Sequence, residues 1–120
     1  SAEPVSRPTG KWHKTWGAIA TSDEGHAGAS VGKRGKADAS KEAVRNCATN
    51  GSKSCKVAFT FHNQCGAAVV PTSGSGGTLF GRAETAQKAE RIALDLCSTK
   101  GGKGCEVIYS DCSKPEFESF

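Results

Sequence analysis

The sequence predicts an α+β fold made of two β-β-α-β repeats with pseudo-twofold symmetry, antiparallel sheets, two helices and three disulfide bonds. Two observations support this prediction. The chain of 120 residues aligns with itself at a shift of about fifty, and its six cysteines include two pairs that recur at that shift. Because neither half carries enough apolar surface to fold alone, the two copies are expected to share one core.

The repeat is clearest around the cysteines and in the apolar residues that precede them. The aligned residues are Cys47 with Cys97, Cys55 with Cys105, Ala39 with Ala89, Ala43 with Ala93, and Val44 with Leu94. At a shift of forty-nine, Gly17-Ala18 also aligns with Gly66-Ala67, and Gly32-Lys33 with Gly81-Arg82. One duplicated domain is therefore expected, with repeats at 16–64 and 65–112, an N-terminal tail at 1–15 and a C-terminal tail at 113–120.

Each repeat begins with a short buried strand. The apolar runs Trp16–Ala20 and Cys65–Val70 are both closed by turn-forming residues. A second strand is expected after each turn, near residues 27–32 in the first repeat and near 78–82 in the second. The pattern of a repeat therefore starts with two strands.

A helix follows in each repeat. Apolar residues recur at helical spacing over 37–47 and 84–97, and each of these segments ends at a cysteine. Asp38 and Thr85 are of the residue types that cap the first turn of a helix. The sequence therefore predicts one helix per repeat.

The last strand of each repeat shows alternation with a period of two. In the first repeat Val57, Phe59 and Phe61 are expected on one face, and in the second Val107 and Tyr109. This alternation completes the predicted order β-β-α-β.

Six cysteines allow fifteen pairings, and the repeat narrows them. In each repeat a cysteine at a helix end is followed eight positions later by one at a strand start, which is close enough for a disulfide, and equivalent positions should be bonded equivalently. The predicted bonds are Cys47–Cys55, Cys97–Cys105 and Cys65–Cys112. Disulfides indicate an oxidising compartment, and we expect a mature exported protein whose signal peptide is absent from this chain.

Metal binding and catalysis are the rival interpretations of the cysteines and histidines. No two cysteines have the close spacing of a zinc site, and an even count leaves no free thiol for catalysis. Residues for serine-histidine-aspartate chemistry exist only as scattered side chains without a nucleophile motif: Ser22, Asp23, His26, His62 and Asp111. We therefore expect no cofactor, no metal and no enzymatic activity.

The charge pattern does not indicate a particular class of partner. The net charge of +4 comes from scattered lysines and arginines, without the interleaved aromatic residues that stack on bases, so we expect no nucleic-acid partner. No apolar run approaches the length of a transmembrane helix.

Several aromatic residues have no place in the repeat pattern. Trp16 opens the first strand, which favours a role in the core or over a disulfide, whereas Trp12 lies outside the repeat among basic residues. Such a side chain either packs on the fold as part of a tail or serves as an anchor for a partner. The candidate contact residues are Trp12, Lys14, Phe117 and Phe120, with the loops Asp23–His26 and Ser73–Gly77 as further possibilities.

The segments Trp16-Gly-Ala-Ile-Ala and Cys65-Gly-Ala-Ala, the alanine-rich helix ending at Cys47 and the strand led by Cys55 resemble a family of exported bacterial domains of unknown function. The resemblance covers most of residues 16–70 and, more weakly, 78–112. The whole chain is also similar to periplasmic immunity proteins that some Gram-negative bacteria encode beside toxic effectors of a bacterial-killing type IV secretion system.

This second resemblance implies a periplasmic protein that binds and neutralises a cognate protein toxin. The alternative is a secreted effector or a cell-envelope-binding protein without enzymatic activity. An adjacent gene for a secreted effector would favour the first interpretation.

Overall fold

The structure is a computed structural model that describes residues 9–49 and 51–120, so residues 1–8 of the expected N-terminal tail lie outside the described part. The elements in chain order are β1 (Gly10–His13), β2 (Trp16–Thr21), β3 (Ala27–Lys33), α1 (Lys36–Ala48), β4 (Lys56–His62), β5 (Cys65–Val70), β6 (Ser73–Gly74), β7 (Leu79–Ala83), α2 (Ala86–Thr99), β8 (Gly102–Lys103), β9 (Glu106–Cys112) and β10 (Glu116–Ser119). The predicted order β-β-α-β is present in both repeats.

Two three-stranded antiparallel sheets with the same topology form the centre of the molecule. Their strand orders are β3-β2-β4 and β7-β5-β9, so the first strand of each repeat is the middle strand of its sheet. This shared topology gives the fold its predicted pseudo-twofold symmetry. Two further sheets have two strands each, β6 with β8 and β1 with β10.

Each middle strand contacts a helix with one face and the other sheet with the opposite face. On β2, Ala18 and Ala20 pack against α1 in a cluster with Ala39 and Ala43. The intervening Ile19 belongs to a separate cluster with residues of both repeats, because alternate side chains of a strand point to opposite faces. The layers therefore follow the order helix, sheet, sheet, helix.

Alanines make the two helix-facing cores possible. All four alanines aligned in the helices, Ala39, Ala43, Ala89 and Ala93, are fully buried, as the repeat predicts. Val44 and Leu94 pack at the edges of these clusters. Small side chains let each helix approach its sheet closely, so each helix buries little apolar area and the disulfides become more important.

The helices match their predicted segments to within two residues, but only one of the two predicted caps is correct. Thr85 is the N-cap of α2, and its hydroxyl accepts a hydrogen bond from the backbone N–H of Lys88 at 3.2 Å. The N-cap of α1 is Gly35, which makes no side-chain capping bond, so the prediction for Asp38 is wrong. Asp38 lies in the first turn instead, where its negative charge favours the helix dipole.

All three predicted disulfides are present. Cys47–Cys55 and Cys97–Cys105 join each helix end to the following strand, with Cα separations of 6.1 and 6.3 Å. Cys65–Cys112 joins the first and last strands of the second repeat. Three disulfides are typical of exported proteins that fold in an oxidising compartment.

The first repeat has an aromatic pair where the second has its third disulfide. Trp16 faces His62 across β2 and β4, in the position that Cys65 and Cys112 occupy across β5 and β9. The two rings stack with centroids 4.5 Å apart, and Trp16 is half-buried against the α1 cluster. Trp16 therefore has the core role expected from the sequence.

A β-bulge corrects one part of the sequence alignment. The register pairs are Trp16 with Lys33 and Ala18 with Ser30 in the first repeat, and Cys65 with Ala83 and Ala67 with Gly81 in the second. The first repeat thus has one extra residue in its second strand, and Ser30, not Gly32, is the counterpart of Gly81. Gly32 lies in the bulge with φ of 73°, a conformation that glycine adopts without strain.

Candidate binding surface at the chain ends

The two ends of the chain pair with each other. Strands β1 and β10 form a two-stranded antiparallel sheet, here called the terminal ribbon, in which Trp12 lies opposite Phe117. The sequence places residues 9–15 and 113–120 in tails outside the domain, whereas the structure gives most of them regular structure. Pairing is favourable because both segments alternate aromatic and charged residues, with lysine and histidine in one and glutamate in the other.

One face of the terminal ribbon carries an exposed aromatic pair. The rings of Trp12 and Phe117 meet edge to face, with centroids 5.1 Å apart. The two residues keep 69% and 44% of their surface exposed. Gly10 lies beside the pair, and a side chain there would overlap the Phe117 ring. The pair is thus ordered by its own contact while most of its apolar surface faces solvent.

The other face of the terminal ribbon carries charges. His13 Nε2 lies 2.8 Å from Glu118 Oε1, and this hydrogen bond holds the pKa of the Glu118 carboxyl below its ordinary value. Arg34, directly after β3, donates to Glu116 Oε2 at 3.2 Å and so links the ribbon to the first repeat. The charged side chains therefore lie on the face opposite the aromatic pair, and Arg34 connects that face to the first repeat.

A buried polar cluster attaches the terminal ribbon to the core. The Thr15 hydroxyl lies 2.7 Å from Ser113 Oγ and donates to the carbonyl oxygen of Lys114, and the Thr15 backbone N–H donates to Asn63 Oδ1. The Ser113 hydroxyl also accepts from the Gly32 backbone N–H at 3.0 Å. Thr15 and Ser113 are almost completely buried. This cluster joins both chain ends to the linker between the repeats.

The remaining candidate residues flank the aromatic pair. Lys14 is exposed in the connection between β1 and β2. Phe120 is 80% exposed, although its backbone N–H bonds to the Thr9 carbonyl oxygen. The structure thus brings Trp12 and Phe117 into contact and places Lys14 and Phe120 on the segments that follow their strands.

The loop Asp23–His26 forms a hydrogen-bond network that the sequence pattern does not predict. Ser52 Oγ lies 2.7 Å from His26 Nδ1, 2.9 Å from Ser22 Oγ and 3.1 Å from Glu24 Oε1. Glu24 Oε1 also accepts from the Ser54 hydroxyl at 3.0 Å, and these bonds, that of Ser54 foremost, hold the pKa of the Glu24 carboxyl below its ordinary value. The network ties the β2–β3 turn to the loop after α1.

The geometry of this network is that of a structural contact between two loops. A catalytic triad needs a histidine between the nucleophile and the carboxylate, whereas here Ser52 lies between His26 and Glu24. Ser52 is only 5% exposed, so a substrate carbonyl has little access to its hydroxyl. The loop Ser73–Gly77 is built differently, since it starts in β6, which pairs with β8, and contains three glycines with positive φ where Asp23–His26 contains one.

Within 9–49 and 51–120, no three histidine, cysteine, aspartate or glutamate side chains come together as a possible metal site. Neither helix of this part of the chain is long and apolar enough to cross a membrane.

Comparison with known proteins gives one positive result. A family model described as a domain of unknown function, DUF4189, matches residues 16–112, which is the whole duplicated unit without the terminal ribbon. No curated protein and no solved structure matches the chain.

Proposed function

The chain belongs to the DUF4189 family, and we propose that it is a periplasmic immunity protein that binds and neutralises a cognate antibacterial secretion-system effector. Such a protein acts by covering part of the toxin's surface and needs no chemistry of its own. The similarity described from the sequence motivates this proposal. The observation that supports it best is the exposed aromatic pair on the terminal ribbon.

Exposed aromatic side chains of this kind are typical contact residues. Tryptophan and large apolar residues dominate the energy of protein interfaces when a partner covers them. Trp12 and Phe117 are held in place by their mutual contact and by the pairing of their strands. Binding of a partner therefore costs little further side-chain entropy. The terminal ribbon also lies outside the segment shared with the family, as expected for a part that selects one partner.

The charges around the pair favour a partner with an acidic rim. Lys14 is exposed in the connection that follows the strand of Trp12, and the whole chain carries a net charge of +4. Charges at the edge of an interface mainly raise the association rate and select the partner.

The test is a binding measurement with the secreted effector encoded by the neighbouring gene. We expect a complex with the purified protein, and we expect Trp12→Ala and Phe117→Ala each to weaken it by at least about 2 kcal/mol, or about thirtyfold. Leu96→Ala, which truncates an exposed apolar residue of α2, is the matched control and should leave the affinity unchanged. The melting temperatures of all three variants should stay close to that of the parent.

A survival experiment addresses the immunity role itself. Cells lacking the protein should be killed by siblings that deliver the effector, and the Trp12→Ala variant should protect them poorly. If the protein bound no effector and cells without it survived, the immunity proposal would be wrong. The secreted effector or envelope-binding alternative would then be tested against cell-wall polymers.

A further inference from the structure

The space between the two sheets is filled by an aromatic stack on one side of the pseudo-twofold axis. Phe59 of β4 and Phe80 of β7 stack with centroids 5.1 Å apart and an interplanar angle of 11°. The guanidinium of Arg82 lies 4.2 Å from the centroid of the Phe59 ring and donates to the Thr60 carbonyl oxygen at 2.8 Å. On this side the first and second repeats therefore meet through two parallel rings.

On the other side of the axis, one of the two rings is missing. Ala68 and Ile19 occupy equivalent positions in the two middle strands. Ala68 lies between Phe80 and Tyr109 on the neighbouring strands of its sheet, and Ile19 lies between Ala29 and Phe59. Tyr109 is therefore the counterpart of Phe59, and Ala29 is the counterpart of Phe80. A methyl group lies opposite Tyr109 where symmetry calls for a phenyl ring.

A cavity of about 360 Å³ lies at this place, and both Tyr109 and Ala29 line it. The rest of its wall is mainly apolar and includes Ile19, Ala68, Ile108 and Thr21. A cavity of about 150 Å³ with such a lining is large enough to hold benzene. Pockets for small molecules begin at about 300 Å³, so the volume is more than sufficient for one ring with a small substituent.

We propose that this cavity binds a small molecule with a single aromatic ring, which stacks on Tyr109 as Phe80 stacks on Phe59. The chain itself supplies the template, because the occupied half shows which shape fits between these two sheets. Thr21 and Tyr109 are the lining residues with polar side-chain groups, which suits a ring with one hydrogen-bonding substituent. This site is independent of the terminal ribbon and of the proposed immunity role.

Titration with phenol, followed through the methyl NMR signals of the protein, tests the proposal directly. Saturable shifts are expected at Ile19, Ala29 and Ile108. Cyclohexanol, which has a similar size but no aromatic face, should bind about two- to tenfold more weakly. Equal affinity for the two compounds, or the absence of saturable shifts, would overturn the proposal.

Two variants test the position of the site, one by filling the cavity and one by opening its counterpart on the other side of the axis. Ala29→Phe supplies the missing ring and should abolish the phenol-induced shift at Ile108 without lowering the melting temperature. Phe80→Ala should open the equivalent cavity beside Phe59 and create a second phenol site. If Ala29→Phe folded and still bound phenol as the parent does, the assigned position would be wrong.

A third variant tests the stacking partner even if Ala29→Phe does not fold. Tyr109→Leu keeps an apolar wall but removes the ring, so phenol should lose its advantage over cyclohexanol. Retention of that advantage would contradict stacking on Tyr109. A blocked tripeptide with a central tyrosine distinguishes the possible carriers of the ring, since tighter binding than phenol would assign the site to a polypeptide side chain and overturn the small-molecule proposal.

Discussion

A single ring fills the centre between the sheets because two glycines leave room for it. Phe61 is 1% exposed and lies opposite Gly17, and its ring also contacts the space beside Gly66. Its counterpart in the second repeat is Asp111, which lies opposite Gly66 and is exposed. Near a pseudo-twofold axis only one copy of a large ring fits, so the two repeats had to diverge here.

Substitution of Gly66 tests this packing. A Cβ atom at this position would lie 2.5 Å from the Phe61 ring, and one at Gly17 would lie just as close to other atoms of the same ring. We expect Gly66→Ala to lower the free energy of unfolding by about 1–3 kcal/mol in urea denaturation. Combination with Phe61→Leu should cost less than the sum of the two single changes, and simple additivity would contradict direct contact.

Tyr109 gives a pH-dependent prediction at the same scale. Burial, and then the nearby Asp111 charge, raise the pKa of Tyr109 to about 12 from 10.0. Because the unfolded chain loses this proton first, the stabilising contribution is complete below pH 10 and is lost as the pH rises towards 12. The chain has one tyrosine, so absorbance titration of tyrosinate should show a midpoint near 12 in the folded protein.

The Tyr109→Phe variant provides the control for this titration. Because it has no tyrosine hydroxyl to titrate, this variant should lose less stability than the parent between pH 10 and 12. The other titratable groups are the same in both proteins. A midpoint at the ordinary tyrosine pKa would show that the ring is not buried as described.

At the scale of elements, the two helices begin in different ways although they are copies. Thr85 caps α2 through its hydroxyl, whereas the counterpart in α1 is Gly35, which makes no such bond. We expect Thr85→Ala to lower the free energy of unfolding by about 1 kcal/mol, because the Lys88 N–H loses its partner. Thr85→Ser retains the hydroxyl and should stay close to the parent. Equal losses in the two variants would instead indicate loss of the threonine methyl contact.

The elements that could be predicted from the sequence are those with a second copy. Two aligned alanine stripes identify both helices, and Cys47 and Cys97 confirm each other's position. The terminal ribbon has no copy, and strands of four residues give a weak periodic signal. Its alternation over 10–13 and 116–119, with opposite charges in the two segments, is visible in the sequence, but which segments pair across more than a hundred residues is a tertiary property. The hydrogen bond between Thr15 and Ser113 is likewise a tertiary contact, which the sequence pattern does not predict.

For the whole molecule, one disulfide closes a much longer loop than the other two. Cys65–Cys112 spans 47 positions, whereas Cys47–Cys55 and Cys97–Cys105 each span eight. In the chain-entropy account a bond restricts the unfolded chain more when its loop is longer, which gives about 4 kcal/mol for the long loop and about 2.5 kcal/mol for each short one. The first repeat has only the stacked Trp16 and His62 in the equivalent place.

We therefore expect removal of Cys65–Cys112 to destabilise the protein more than removal of either short bridge. The comparison uses the paired alanine variants of Cys65 and Cys112 and of Cys47 and Cys55, both measured by urea unfolding. The matched pair removes the same number of sulfur atoms, and Cys47 and Cys65 are both fully buried, so the loss of packing is similar. A loss from the short bridge as large as that from the long one would mean that native packing around the sulfurs, and not loop closure in the unfolded chain, determines what each bond contributes.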